Sequence, residues 1–175
     1  MKKIYLFLLV SSFFIIGCEK DDICDANTPT TPRLVVTFNN AAVRDNVRIV
    51  TDLKITGYDE NGVLFDETKS FLINDTLVKI PLNPATNFSK FQLILNSNST
   101  TLSSIDLLQF NYTHNDVFVS RACGFKTIFN LDENAGNPFI INNNPTLTQG
   151  NWIKNIEVFQ PDINNENETH IKIFF

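Results

Sequence analysis

Apolar and polar positions alternate with a period of two along most of the chain after Pro32, and that period predicts strands. Leu34, Val36 and Phe38 alternate with Val35 and Thr37, giving a strand apolar on both sides. From Val47 to Tyr58, Leu53 and Ile55 stand against Asp52, Lys54 and Thr56. Asp59-Glu60-Asn61-Gly62 then supplies the Asn-Gly pair of a tight hairpin turn, with Val63 to Phe65 returning as partner. Thr76 to Leu82 and Phe88 to Leu95 repeat the pattern, Asn96 to Thr101 interrupts it, and Ile105 to Tyr112 resumes it. His114-Asn115-Asp116 reads as a polar turn, followed by the apolar stretch Val117 to Phe129. Leu131 to Gly150 reads as loop, poor ground for regular structure around Asn142-Asn143-Asn144-Pro145. Trp152 to Phe159 and Thr169 to Phe175 close the chain around a polar tip, Pro161 to Glu168. No window repeats apolar residues at three and four over a dozen positions, so helix is minor. Eight or nine short strands predict an all-β, antiparallel β-sandwich, immunoglobulin-like or jelly-roll-like, without specifying its topology. The sole tryptophan, Trp152, follows Cys123 and so does not fit the immunoglobulin order of cysteine, tryptophan, cysteine.

The first 32 residues follow another grammar. Lys2 and Lys3 precede an apolar or small run from Ile4 to Ile16, thirteen residues, which suits a secretory signal and is too short to span a bilayer. Ile15-Ile16-Gly17-Cys18 resembles a bacterial lipobox. The resemblance implies that Cys18 becomes the first mature residue and carries acyl chains, anchoring the chain to a membrane; two or more chains hold a protein stably where one does not. An ordinary secretory signal followed by a chance cysteine is the alternative. Glu19-Lys20-Asp21-Asp22 resembles the surface-export signal of Bacteroidetes lipoproteins. It implies that Lys20, Asp21 and Asp22 send the protein to the outer membrane, facing the cell exterior; a plain charged tether is the alternative. Asp25 to Pro32 is polar and proline-punctuated, hence extended linker. The expected organisation is a signal peptide at 1–17, a lipidated tether at 18–32 and one sandwich domain at 33–175.

Composition narrows the partners. Of 14 basic side chains, Lys2 and Lys3 leave with the signal, so 12 face 19 acidic ones, a formal charge of −7. Such an acidic domain with scattered cations is a poor nucleic-acid binder, and no nucleic-acid partner is expected. With Cys18 acylated, Cys24 and Cys123 remain as an even pair in an oxidising compartment, and one disulfide between them is the simplest expectation. Two free buried thiols, or a catalytic thiol, are the alternatives; His114 and His170 have no recognisable motif around them.

Phe110 to Asn130, with Cys24, the Thr31-Pro32-Arg33-Leu34 entry and the terminal hairpin, resembles an uncharacterised family of small Bacteroidetes lipoproteins. The resemblance implies a fold and an address, and brings no activity with it. Within the block, Arg121 reads as a cation inside an apolar strand that must find a structural partner.

Motifs for chemistry are few. There is no phosphate loop, nucleophile elbow or zinc spacing, and no metal or other cofactor is expected. Asp132-Glu133-Asn134-Ala135-Gly136 begins like a calcium loop but lacks its third ligand and its closing carboxylate. Asp162, Asn164, Glu166 and Glu168 alternate and read as a solvated turn in preference to a calcium site. Asp75-Thr76-Leu77 resembles the site at which Bacteroidetes O-glycosylate exported proteins, which implies a glycan on Thr76. The expectation is a non-catalytic lipoprotein that binds an envelope protein or polysaccharide; the alternative is a hydrolase or glycan-processing accessory. Sugar binding by stacking calls for exposed aromatics, and the phenylalanines read as core.

Overall fold

The computed structural model describes residues 23–131, 137–144 and 146–175. Cys18, Lys20, Asp21 and Asp22 lie outside them. Eleven strands are described: β1 (Leu34–Asn39), β2 (Leu53–Gly57), β3 (Phe71–Ile73), β4 (Leu77–Ile80), β5 (Phe88–Leu95), β6 (Ser104–Ser120), β7 (Gly124–Leu131), β8 (Phe139–Ile141), β9 (Asn155–Val158), β10 (Asp162–Ile163) and β11 (Ile171–Phe174). One short 3-10 turn, Glu67–Lys69, begins at Asp66, whose side chain caps the Thr68 amide. Among the described residues no helix is long and apolar enough to cross a membrane.

The strands form the two sheets of a β-sandwich. One has the order β4-β1-β11-β9, the other β10-β7-β6-β5-β2-β3 with β8 alongside β6. All pairings are antiparallel except one: β1 runs parallel to β11, with Val36 opposite Ile171 and Phe38 opposite Ile173. The first and last strands therefore lie side by side in the middle of the smaller sheet. Leu34, Val35, Val36 and Phe38 are all buried, as expected of a central strand with both faces covered. The inner faces meet in one core, where Phe38, Ile80 and Ile173 from the smaller sheet join Ile55, Leu93, Phe110 and Phe129 from the larger.

Several expected elements move. The stretch from Val47 to Tyr58 is not one strand, because Asp52 takes the left-handed conformation (φ 45°) and turns the chain. Its carbonyl accepts the Ser97 amide at 2.9 Å and its own amide donates to the Asn74 side chain at 2.7 Å. The Asn-Gly turn is present, held by the Asp59 carboxylate accepting the Asn61 and Val63 amides. Its returning arm makes only an isolated bridge, Tyr58 to Leu64, and the strand partners of β2 are β3 and β5.

His114-Asn115-Asp116 is not a turn. β6 runs through it, pairing with β5 up to Asn111 and with β7 from Tyr112 onward. The turn lies at Arg121-Ala122-Cys123, so Arg121 is exposed in a turn and not enclosed in an apolar strand. Asp116 is paired across the hairpin: the Thr127 hydroxyl donates to it at 2.7 Å, and the Thr127 amide donates to the Thr31 hydroxyl at 3.0 Å. In the last hairpin, β10 leaves the smaller sheet to pair with β7, burying Ile163.

Candidate functional site

A concavity with a volume of about 370 Å³ opens beside edge strand β3. Its walls are Tyr58, Phe65, Phe71 and Phe91, with Lys69, Lys90, Asn83 and Ser89 supplying polar groups. Local geometry explains why aromatics gather there. Gly57 ends β2, and a Cβ at that position would meet the Phe65 ring at 3.2 Å, so glycine lets the ring approach the strand closely. Phe91 is opposite Gly57 on β5. Phe71 and Leu72 are both exposed on β3, the outermost strand of the sheet.

Two ammonium groups sit on this aromatic wall. The Lys69 Nζ lies 4.8 Å from the Phe65 centroid and the Lys90 Nζ 4.9 Å from that of Tyr58. Lys90 also donates to the Asn143 side chain at 2.8 Å. The floor is tied by Tyr112, whose hydroxyl donates to the Asn83 carbonyl at 2.8 Å and lies 2.7 Å from the Ser89 hydroxyl. Burial pushes the Tyr112 phenol up from its ordinary value. Stacking faces, two cations, an amide and a hydroxyl can recognise a ligand by shape and charge. Among the described residues lining the groove there is no carboxylate or imidazole to act as a base.

The residues singled out from the sequence lie elsewhere. Cys24 and Cys123 are joined by a disulfide, with Cα atoms 5.0 Å apart. The bridge fastens the linker to the β6–β7 turn. Thr76 directly precedes β4, half-buried, its hydroxyl donating to Asp75 at 3.4 Å. The alternating acids of the last hairpin do not converge: Glu166 accepts the Arg33 guanidinium through two bonds of 2.8 Å and lies 3.0 Å from the Lys79 ammonium. Those bonds, chiefly from Arg33, hold its carboxyl down at about 2. Among the described residues no group of three or more His, Cys, Asp or Glu side chains could hold a metal ion.

Two buried polar residues stand out in the fold, His170, which no motif marks in the sequence, and Asp106, which the sequence reading passed over. His170 is fully buried; its Nδ1 accepts the Val35 amide at 2.9 Å and its Nε2 has no partner. Burial holds the imidazole below its ordinary pKa. Asp106 is also fully buried, accepting the backbone amides of Asn151, Trp152 and Ile153 and the side-chain amide of Asn142. A Cβ on Gly150 would come within 2.1 Å of that carboxylate, so the turn closes only over glycine. The signal was the alternation itself, which sets Asp106 in the same row as Leu108 and Phe110.

No curated protein and no solved structure matches the chain. A family match covers residues 52–175 and so begins after β1, although β1 is the central partner of β11 and β4. By that match the chain belongs to a family of unknown function (DUF6452).

Proposed function

We propose that the chain is a Bacteroidetes lipoprotein, anchored through acylated Cys18 in the outer membrane and facing the cell exterior. Its role is to bind, without turnover, an envelope protein or polysaccharide in the groove beside β3. The address is supported by the lipobox-like Ile15-Ile16-Gly17-Cys18 and by Lys20-Asp21-Asp22. The observation that carries the binding role is the groove: four aromatic side chains line an open cleft with two lysines on their faces, in a protein whose core is complete without Phe65 and Phe71. Such amphipathic concavities, with few polar groups and an apolar wall, are how binding sites are built. The unpaired side of β3 adds backbone donors and acceptors for an extended partner.

The test combines address and contact. Cells expressing the chain with a photoreactive phenylalanine analogue at position 71 are labelled with alkyne-palmitate, irradiated intact, then treated with protease before lysis. Palmitate on the wild type and not on Cys18→Ser, cleavage on intact cells, and a single adduct lost on Lys69→Glu are expected. A protein without palmitate, or protected until lysis, overturns the address; labelled protein giving no adduct at 71 overturns the groove.

A further inference from the structure

The β6–β7 hairpin continues past the core, and what it carries there is apolar. On the inward side of β6 the row reads Leu108, Phe110, Tyr112, His114, Asp116, Phe118. Its first three members are buried, His114 is half-buried, and Phe118 is 57 % exposed. Opposite it in register stands Phe125, 67 % exposed, the two rings meeting edge to face at 5.4 Å. Ile23, next to the bridged Cys24, is exposed as well, at 75 %. The core does not need this pair, and exposed apolar clusters of this kind mark contact surfaces. Arg121 in the turn and Lys126 on β7 are the cations of the tip; Asp116 is bonded to Thr127, and Asp25 caps its own turn through the Asn27 amide.

The chain's own connectivity says what meets the tip. The disulfide fixes Cys24 to Cys123 in the hairpin turn, and six residue steps separate Cys24 from Cys18. At about 3.3–3.6 Å per step they reach roughly 20 Å at most. Without the bridge the run would extend to Thr31, held by the Thr127 amide, about 45 Å, long enough for the domain to face many ways. With it, an anchor at Cys18 holds the hairpin turn close to the bilayer, while the Ser104 end of β6 stands about 50 Å from Ser120 along the strand.

We propose that Phe118 and Phe125, with Ile23, form a surface that enters the interface of the bilayer holding the Cys18 acyl chains and sets the orientation of the domain. Aromatic side chains favour that interface, and Arg121 and Lys126 can extend toward headgroups. Phe88, at the groove end of β5, pairs with Asn111, seven residues from Phe118, so this orientation stands the groove about 23 Å off the membrane. The proposal rests on the acylation of Cys18.

The test uses the mature acylated protein, purified from cells and reconstituted into vesicles of phosphatidylethanolamine and phosphatidylglycerol, with and without lipids brominated near the headgroup. Phe118→Trp and Phe125→Trp are compared with Leu102→Trp, an exposed site next to the opposite end of β6. Subtracting the constant Trp152 signal, bromolipid should cut the added emission at 118 and 125 by about twofold, as an interfacial ring requires, and leave that at 102 unchanged. Floating, acylated Phe118→Trp protein whose added emission is quenched no more than that of Leu102→Trp overturns the contact alone. Blue-shifted but unquenched emission at 118 assigns the patch to a second copy or to the tether and also overturns it. Absence of an acyl mass on Cys18 overturns the anchor, and the proposal with it.

Discussion

Replacing Asp106 by asparagine keeps the shape of the side chain and removes its charge. The carboxylate takes four donors, two on each oxygen: Asn142 Nδ2 (2.9 Å) and the Asn151 amide (2.6 Å) on Oδ1, the Trp152 and Ile153 amides (both 3.0 Å) on Oδ2. Whichever way the new amide is turned, its NH₂ faces two N–H groups, so two buried donors lose their acceptor. Hydrogen bonds to a charged group contribute about 1.5–3 kcal/mol each, giving a loss of roughly 3–6 kcal/mol. Against a total of about 5–15 kcal/mol this is a large fraction. It corresponds to a fall in Tm on the order of 10 °C. Because β6 belongs to one sheet and the 150–153 turn leads into β9 of the other, the loss falls on the joint between the sheets. Urea unfolding at pH 7, followed by the sole tryptophan in that same turn and by far-ultraviolet dichroism, measures it. An unchanged slope with a midpoint shift equivalent to about 1 kcal/mol or less would show that the four bonds do not hold the turn, and the reasoning fails.

Other expectations follow from the same geometry. Glu166→Gln should cost about 1 kcal/mol at pH 7, modest because Arg33 is half in solvent. Its carboxyl is held at about 2, below the unfolded value, so the contribution is complete above about pH 4.5 and fades as pH falls toward 2; wild type and variant should converge there in urea titrations. His170 has the opposite chemistry. Its folded pKa lies below that of the free side chain, so as pH drops through about 6.5 the unfolded chain takes a proton the folded one refuses. Stability should fall over that interval, and His170→Phe should flatten the slope even if it lowers the level. Opening the disulfide, which spans 99 residues, should cost up to about 4.7 kcal/mol by chain entropy, read as the difference between oxidised and reduced protein. Gly57→Ala should displace the Phe65 ring and weaken the crosslink at position 71 with a stability change under about 1.5 kcal/mol; an unaffected crosslink would detach Phe65 from the binding wall.

The elements that could be read from the chain are those whose determinants are local. β1 and β5 lie where the alternation puts them, because each buries a regular row of side chains with no irregular residue inside. The strands that could not be read depend on distant partners. β8 and β10 are three and two residues long, and they exist because Phe110 and Phe129 offer them an edge. The parallel pairing of β1 with β11 joins residues more than 130 apart, and no local pattern encodes it. The misplaced hairpin turn is the most instructive case. Three consecutive polar residues, His114-Asn115-Asp116, read as a turn. The apolar look of Ala122, Cys123 and Phe125 likewise suggested a strand. Both readings fail for one reason, namely that the hairpin extends beyond the core, so Asp116 can stay mid-strand while paired across it and phenylalanines can stand exposed at its end. The departure from the core pattern thus marks a place where burial is not what selects the residue. The same logic applies to the groove, whose exposed Phe65 and Phe71 break the alternation that filled the core. Both surfaces look like noise along the sequence, and each gathers into one place only in the fold.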